Sequence, residues 1–195
     1  FSKGLLPCSD EIRRGEDGPV GTTDAGREIL TEAQRRFLLG NQINLELLEQ
    51  MPASVAGNLN SYEAYGTYYS VLTVHGGENL RHRLERQPPL TLAEAAEILI
   101  KLLRALEGFH RRGLLHLDIS PDNLILLSGQ VLLIDFNSVW DTRREDASAF
   151  AFSCKAGYSA PEVMLQNPLE IGPATDLFSC CAVFFHLLIG RQLGE

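Results

Sequence analysis

The sequence predicts an α+β fold in two unequal parts: a long helix with a hairpin, then a mainly helical body built around a second hairpin. Three observations predict it. Leu124-Ile125-Leu126-Leu127 and Val131-Leu132-Leu133-Ile134 are short apolar runs separated by Ser128-Gly129, the pattern of buried strands around a tight turn. Thr91-Leu92-Ala93-Glu94 is a capping box, after which Leu92, Ala95, Leu99, Leu102, Leu106 and Phe109 recur at helical spacing. Asp176-Leu177-Phe178-Ser179 opens an apolar run through Ile189 that is too short to span a bilayer and suits a buried helix.

The remaining elements follow in chain order. Residues 1–23 are rich in glycine, proline and charge, and Arg13-Arg14-Gly15-Glu16-Asp17-Gly18 reads as a loop. Thr23-Asp24 caps a long helix running to about Met51, where Pro52 stops it. Tyr62 to Tyr65 and Tyr68 to Val74 form a hairpin across Gly66-Thr67, leading into a Gly-rich connector, His75-Gly76-Gly77. Glu78 to Arg86 is a short basic helix, and Gly113 ends the helix that Thr91 starts.

Of the 195 residues, 45% are hydrophobic and 22% charged, the balance of a globular chain long enough for one core. A net charge of −8 and a pI near 5.1 argue against nucleic acid as a main partner and against anionic lipid. Arg81-His82-Arg83 and Arg111-Arg112 read as solvated helix faces. Cys8, Cys154, Cys180 and Cys181 lack C-x-x-C spacing, and the adjacent pair on an apolar helix suits small buried side chains. A reducing, cytoplasmic setting is the expectation. No stretch reads as a signal peptide, membrane span or internal repeat.

The chemistry is concentrated in Leu115-His116-Leu117-Asp118-Ile119-Ser120-Pro121-Asp122-Asn123 and, after the apolar hairpin, Ile134-Asp135-Phe136-Asn137. An Asp, an Asn five residues on and a second Asp twelve beyond that flank two strands. Phosphoryl transfer from ATP asks a protein for a carboxylate that orients the attacking hydroxyl and for oxygen ligands that hold Mg²⁺ on the phosphates. Asp118, Asn123 and Asp135 are such a set.

This arrangement resembles the protein kinases, whose pattern is H-R-D-x-x-x-x-N followed by D-F-G. Gly157-Tyr158-Ser159-Ala160-Pro161-Glu162 is similar to the A-P-E block that closes their activation segment. Asp176 resembles the first-turn Asp of the central helix of their large lobe, which bonds the backbone of the catalytic loop; it also reads as a helix N-terminal carboxylate. D-I-S-P-D-N and Lys155-Ala156-Gly157-Tyr158 are similar to one group of bacterial serine/threonine kinases, which residues 1–60 resemble more weakly. The resemblance implies a bilobal fold: a partial small lobe over 1–72, a hinge over 73–77 and a large lobe over 78–195. It further implies a truncated piece, ending soon after that central helix and missing parts at both ends.

The same resemblance implies roles. Asp118 orients the substrate hydroxyl, and Asn123 and Asp135 ligate Mg²⁺. Leu72 stands at the gatekeeper position, the backbone of Thr73 and His75 meets the adenine edge of ATP, and Ile125 forms an apolar floor; ordinary core is an equal reading for Leu72 and Ile125. His116 reads as a packed structural histidine. Ser120 stands where a Lys contacts the transferred phosphate. Leu117 replaces the Arg that reads activation-loop phosphate, so activity is not expected to need phosphate on Ser148 or Ser153. Asn137 replaces the Gly of D-F-G and is the non-Gly residue best suited to positive φ. Lys3 is the only lysine before the long helix, and the ATP-anchoring lysine is expected upstream of Phe1. Aligning Phe37-Leu38-Leu39 with the family's F-x-x-E puts Gly40 where its Glu partner belongs, with Glu32 and Glu46 as substitutes.

Three functions follow. The first is an ATP- and Mg²⁺-dependent kinase of protein serine and threonine. The second is a pseudokinase acting as a scaffold or regulatory partner of other proteins. The third, a small-molecule phosphotransferase, is disfavoured by Pro161-Glu162.

Overall fold

A computed structural model describes residues 2–4, 12–14, 20–73, 76–87, 89–143 and 152–194. Local sequence signals set most element ends. The Thr23 hydroxyl accepts the Gly26 N–H at 3.1 Å and opens helix α1, Asp24–Gln50, which ends at Met51 before Pro52. Phe37, Ile43 and Leu47 line its buried face. Strands β4 (Gly57–Ala64) and β5 (Thr67–Thr73) pair antiparallel through Tyr65 and Gly66, with φ of 53° and 73°. Two left-handed residues in succession make the primed turn that suits twisted strands. The turn therefore lies one residue earlier than the sequence predicts.

β4 also starts five residues before the expected Tyr62. Asn58 and Asn60 disfavour strands, but α1 holds this stretch in place. The Asn44 amide donates to Ala56 O at 2.8 Å and accepts the Asn58 N–H at 3.0 Å, and a bulge between Asn58 and Asn60 absorbs the irregularity.

Residues 1–23 carry, among those described, three short strands, β1 (Ser2–Gly4), β2 (Ile12–Arg14) and β3 (Val20–Thr22), and β2 takes in Arg13 and Arg14 of the expected loop. Strands of three residues are too short to display a period-two pattern. β2 pairs with β3, while β1 adds to the free edge of β5, with Lys3 opposite Ser70. The sheet order is β1-β5-β4.

Next come β6 (Glu78–Asn79) and α2 (Leu80–Arg86), where Asn79 accepts the Arg81 N–H at 2.9 Å, so the expected helix is shortened by its own cap. The Thr91–Glu94 capping box opens α3, Leu92–His110, and Gly113 (φ 71°) closes the turn after it. β7 (Leu114–Leu115) leads through a 3-10 turn at Pro121–Asn123 to the hairpin of β8 (Leu124–Leu127) and β9 (Gln130–Leu133). Ser128 and Gly129 turn it with φ of 48° and 76°. β6 extends it to three strands, and β10 (Trp140–Asp141) returns to pair with β7.

α4 (Pro161–Met164) and α5 (Pro173–Ile189) follow, α5 starting three residues before Asp176 and ending at Gly190 (φ 78°). Leu102, Leu106 and Phe109 of α3, Leu124 and Leu133 of the hairpin, and Leu187 of α5 are fully buried in one cluster. Each contributes about 1.5–3 kcal/mol by leaving water, which fixes the hairpin on the helices. Among the described residues no helix is long and apolar enough to cross a membrane.

Candidate active site

The loop joining β7 to β8 is held by α5. Asp176, fully buried, accepts the backbone N–H groups of His116 and Leu117, both at 2.9 Å, and lies 2.8 Å from His110 Nε2. The contact expected of a first-turn Asp is made. His116 is fully buried against the rings of Phe109 and Phe136, at 5.9 and 5.7 Å, as a packed histidine should be. Leu117 has φ 60°, a conformation that costs a bulky L-residue about 1–2 kcal/mol. It sits in an apolar cluster with Leu115, Trp140, Phe152, Ala160 and Val163. That environment suits leucine and leaves a guanidinium without solvation.

Asp118 and Asn123 are brought into direct contact. Asn123 Nδ2 donates to Asp118 Oδ2 at 2.7 Å and to Asp118 O at 2.9 Å. Spending the amino end of the buried amide on Asp118 turns Oδ1 to the opposite side. The Ile134 N–H donates to Asn123 O at 3.0 Å, which sets Asn123 beside the residue preceding Asp135. Asp135 carries φ 65° and accepts the Asn137 N–H on Oδ1 at 3.3 Å. The left-handed residue is thus Asp135 and not Asn137, because the short side chain of Asp closes a local turn that tolerates positive φ. Phe136 is buried and stacks on Phe109 with centroids 5.9 Å apart.

The donor set fits a hard cation. An amide oxygen and a half-buried carboxylate are ligands that Mg²⁺ takes, and it completes its shell with water and phosphate oxygens. Among the described residues no group of three or more His, Cys, Asp or Glu could hold a metal alone. An ion here would be shared with a phosphate.

Ser120 is fully buried, and its hydroxyl accepts from Lys155 Nζ at 3.0 Å. Lys155 also pairs with Asp122 at 2.5 Å, and Arg81 meets the same carboxylate at 3.2 Å. Burial pushes the Asp122 carboxyl up, but the hydrogen bonds from Lys155 and Arg81 outweigh it and hold it below its ordinary range. Arg81 also lies over the Tyr158 ring at 5.7 Å, and Tyr158 Oη is 2.5 Å from His186 Nδ1. The expectation that Arg81 is solvated is therefore corrected: its side chain is 24% exposed and engaged on two sides. Arg81 and Asp122 lie 41 residues apart, Lys155 and Ser120 lie 35 apart, and no local signal announces such pairings.

Leu72 and Ile125 are buried in one cluster with Ala56, Leu132 and Ile134. Thr73, at the end of β5, donates its hydroxyl to Gly57 O at 3.0 Å. His75, Ser148 and Cys8 lie outside the described residues, and Ser153 is exposed. Gly40 faces the D-F-N segment so closely that an added Cβ would stand 2.6 Å from Phe136 O. Glu32 is held by Arg35 and Arg36, and Glu46 is exposed beside Gln42. Asn41 of α1 reaches β5 instead, its Oδ1 accepting from Ser70 Oγ at 3.0 Å.

Comparisons with known proteins point to one family. The model of the protein kinase domain matches residues 46–195. The chain is 28% identical over 157 residues to a calcium/calmodulin-dependent protein kinase type 1 of Macrobrachium nipponense, covering 78% of this chain and 44% of that protein. It is 31% identical over 134 residues to serine/threonine-protein kinase F of Synechocystis sp., covering 66% of this chain and 26% of that protein. The chain thus spans less than half the length of either relative.

Proposed function

We propose, given that this chain belongs to the protein kinase domain family, that the protein transfers the γ-phosphoryl group of ATP to serine or threonine hydroxyls of other proteins. The observation that carries this reading is the contact of Asp118 with Asn123 and the backbone bond that sets Asn123 beside Asp135. In this reading Asp118 accepts the hydroxyl proton and aims the oxygen at phosphorus, while Asn123 Oδ1 and the Asp135 carboxylate hold Mg²⁺, which neutralises phosphate charge. Leu72 and Ile125 would offer adenine an apolar contact, and the backbone of Thr73 and His75 would meet its edge. The division into a small lobe over 1–72, a hinge over 73–77 and a large lobe over 78–195 belongs to the same reading. So does a cytoplasmic setting, which suits the free thiols of Cys154, Cys180 and Cys181.

A scaffold without transfer activity is the second reading, favoured by Gly40, which leaves no carboxylate opposite Phe136. Single-turnover transfer from labelled ATP, to a generic acceptor protein and to the protein itself, separates the two. Asp118→Ala should slow transfer by orders of magnitude with ATP affinity nearly unchanged, since this carboxylate faces the hydroxyl. Wild-type transfer no faster than that variant would favour the scaffold.

A further inference from the structure

The loop that carries Asp118 holds no cation of its own at residue 120, yet an ammonium group stands on it. Lys155 comes from the segment leading to α4 and lays its Nζ on the buried Ser120 hydroxyl at 3.0 Å. Its second partner, Asp122, is shared with Arg81, so one carboxylate serves two cations and the cluster keeps one net positive charge. That charge lies against Ser120, two residues from Asp118. An ammonium has three donors, of which Ser120 and Asp122 take two. The Lys155 side chain is 34% exposed, so the third donor is at the solvent boundary of the loop.

We propose that Lys155 supplies the positive charge that stabilises the transferred phosphoryl group, delivered across the fold to the position Ser120 leaves neutral. This rests on the phosphoryl-transfer reading above. In the step, the bond between Pγ and the β–γ bridging oxygen breaks and ADP leaves with the electron pair. The acceptor oxygen bonds to Pγ, and its proton goes to Asp118. Lys155 gives up no proton; its third N–H meets an equatorial oxygen, where charge accumulates in the transition state. Ser120 orients the amine, and Arg81 offsets Asp122 so that the ammonium is not neutralised in place.

The test uses the full protein, with Lys155→Ala, Lys155→Gln and the double variant Lys155→Ala/Ser120→Lys. Two quantities are read: the single-turnover rate, and the affinities for Mg²⁺–ADP and for an ATP analogue with a non-transferable γ-phosphate. Loss of one such stabilising donor slows transfer about 100-fold or more. Both single variants should show that loss, and the double variant should regain at least about tenfold of it by restoring a charge to the loop. The wild type should favour the triphosphate analogue over ADP, and the single variants should lose that preference while keeping their ADP affinity. A purely structural Lys155 would lower the thermal midpoint, leave the triphosphate preference intact and be indifferent to Ser120→Lys; that result overturns the proposal. A wild type that transfers nothing refutes the kinase reading and with it the catalytic role of Lys155; a Lys155-dependent triphosphate preference would then leave only its contact with the γ-phosphate. Equal affinity of the wild type for both nucleotides, or binding of neither, overturns it.

Discussion

The two walls that meet at Phe136 are built on opposite terms. On one side, residues 116–123 form a loop with little regular structure that is nevertheless pinned by polar bonds: Asp176 to two backbone amides, Asn123 to Asp118, Lys155 to Ser120. On the other, the regular helix α1 presents bare backbone at Gly40, closing to a distance that no side chain could occupy. Order in secondary structure and readiness for chemistry therefore come apart in this molecule. The irregular wall carries the oriented carboxylates, and the helical wall presents glycine there and fills the space with its own backbone.

The largest way to break the contrast is to remove the bonds under the loop. Asp176→Ala orphans two buried N–H groups, each costing about 1–3 kcal/mol, so unfolding stability should drop by roughly 2–6 kcal/mol. Urea denaturation measures it, and a loss within about 0.5 kcal/mol, the scale of a neutral surface change, would mean the loop is held by packing alone.

Smaller, and of more ambiguous origin, is the effect of Gly40→Ala. In a helix interior alanine is about 1 kcal/mol better than glycine. Here the new Cβ would meet backbone atoms of Phe136, at 2.6 and 2.7 Å, that cannot rotate away. Overpacking of about 1–3 kcal/mol should win, giving net destabilisation and a shift of α1. A more stable variant would mean that α1 does not press on Phe136.

The smallest effect is on pH dependence. The Asp122 carboxyl is lowered in the folded state, so its contribution is complete above the ordinary carboxylate value of 3.8 and is lost as pH falls through the lower folded value. Its side chain is 37% exposed, and solvent screening keeps the gain modest. Asp122→Asn should flatten the acid limb of the stability curve and leave it unchanged near neutrality in shape. An unaltered acid limb would remove Asp122 from the electrostatic account of the loop.

What was legible in the sequence were features decided within a few residues. Thr23, Thr91 with Glu94, and Ser128-Gly129 state their structure locally, because caps and tight turns are satisfied by near neighbours. Asp118 and Asn123 were legible as site candidates on one short loop, but their direct contact is a finding of the structure. β4 was legible only in part: its first residues are polar, and they extend because Asn44 of α1 reaches them. The position of the left-handed residue moved from Asn137 to Asp135, since composition names residues able to take positive φ and the surrounding packing selects one of them. The Lys155–Ser120–Asp122–Arg81 cluster was illegible as a unit, being assembled from three segments of the chain. Arg81 therefore read as one more surface charge.

The bonds from Asp176 have a consequence for motion as well as for position. Backbone that lacks regular structure ordinarily opens by local fraying, each amide on its own. The amides of His116 and Leu117 cannot do so, because their acceptor is a side chain rooted in α5. Exposing them requires the loop to lift away from the helix. Their opening free energy thus includes breaking the loop's bonds to the buried start of α5, more than the fraying of a free loop costs.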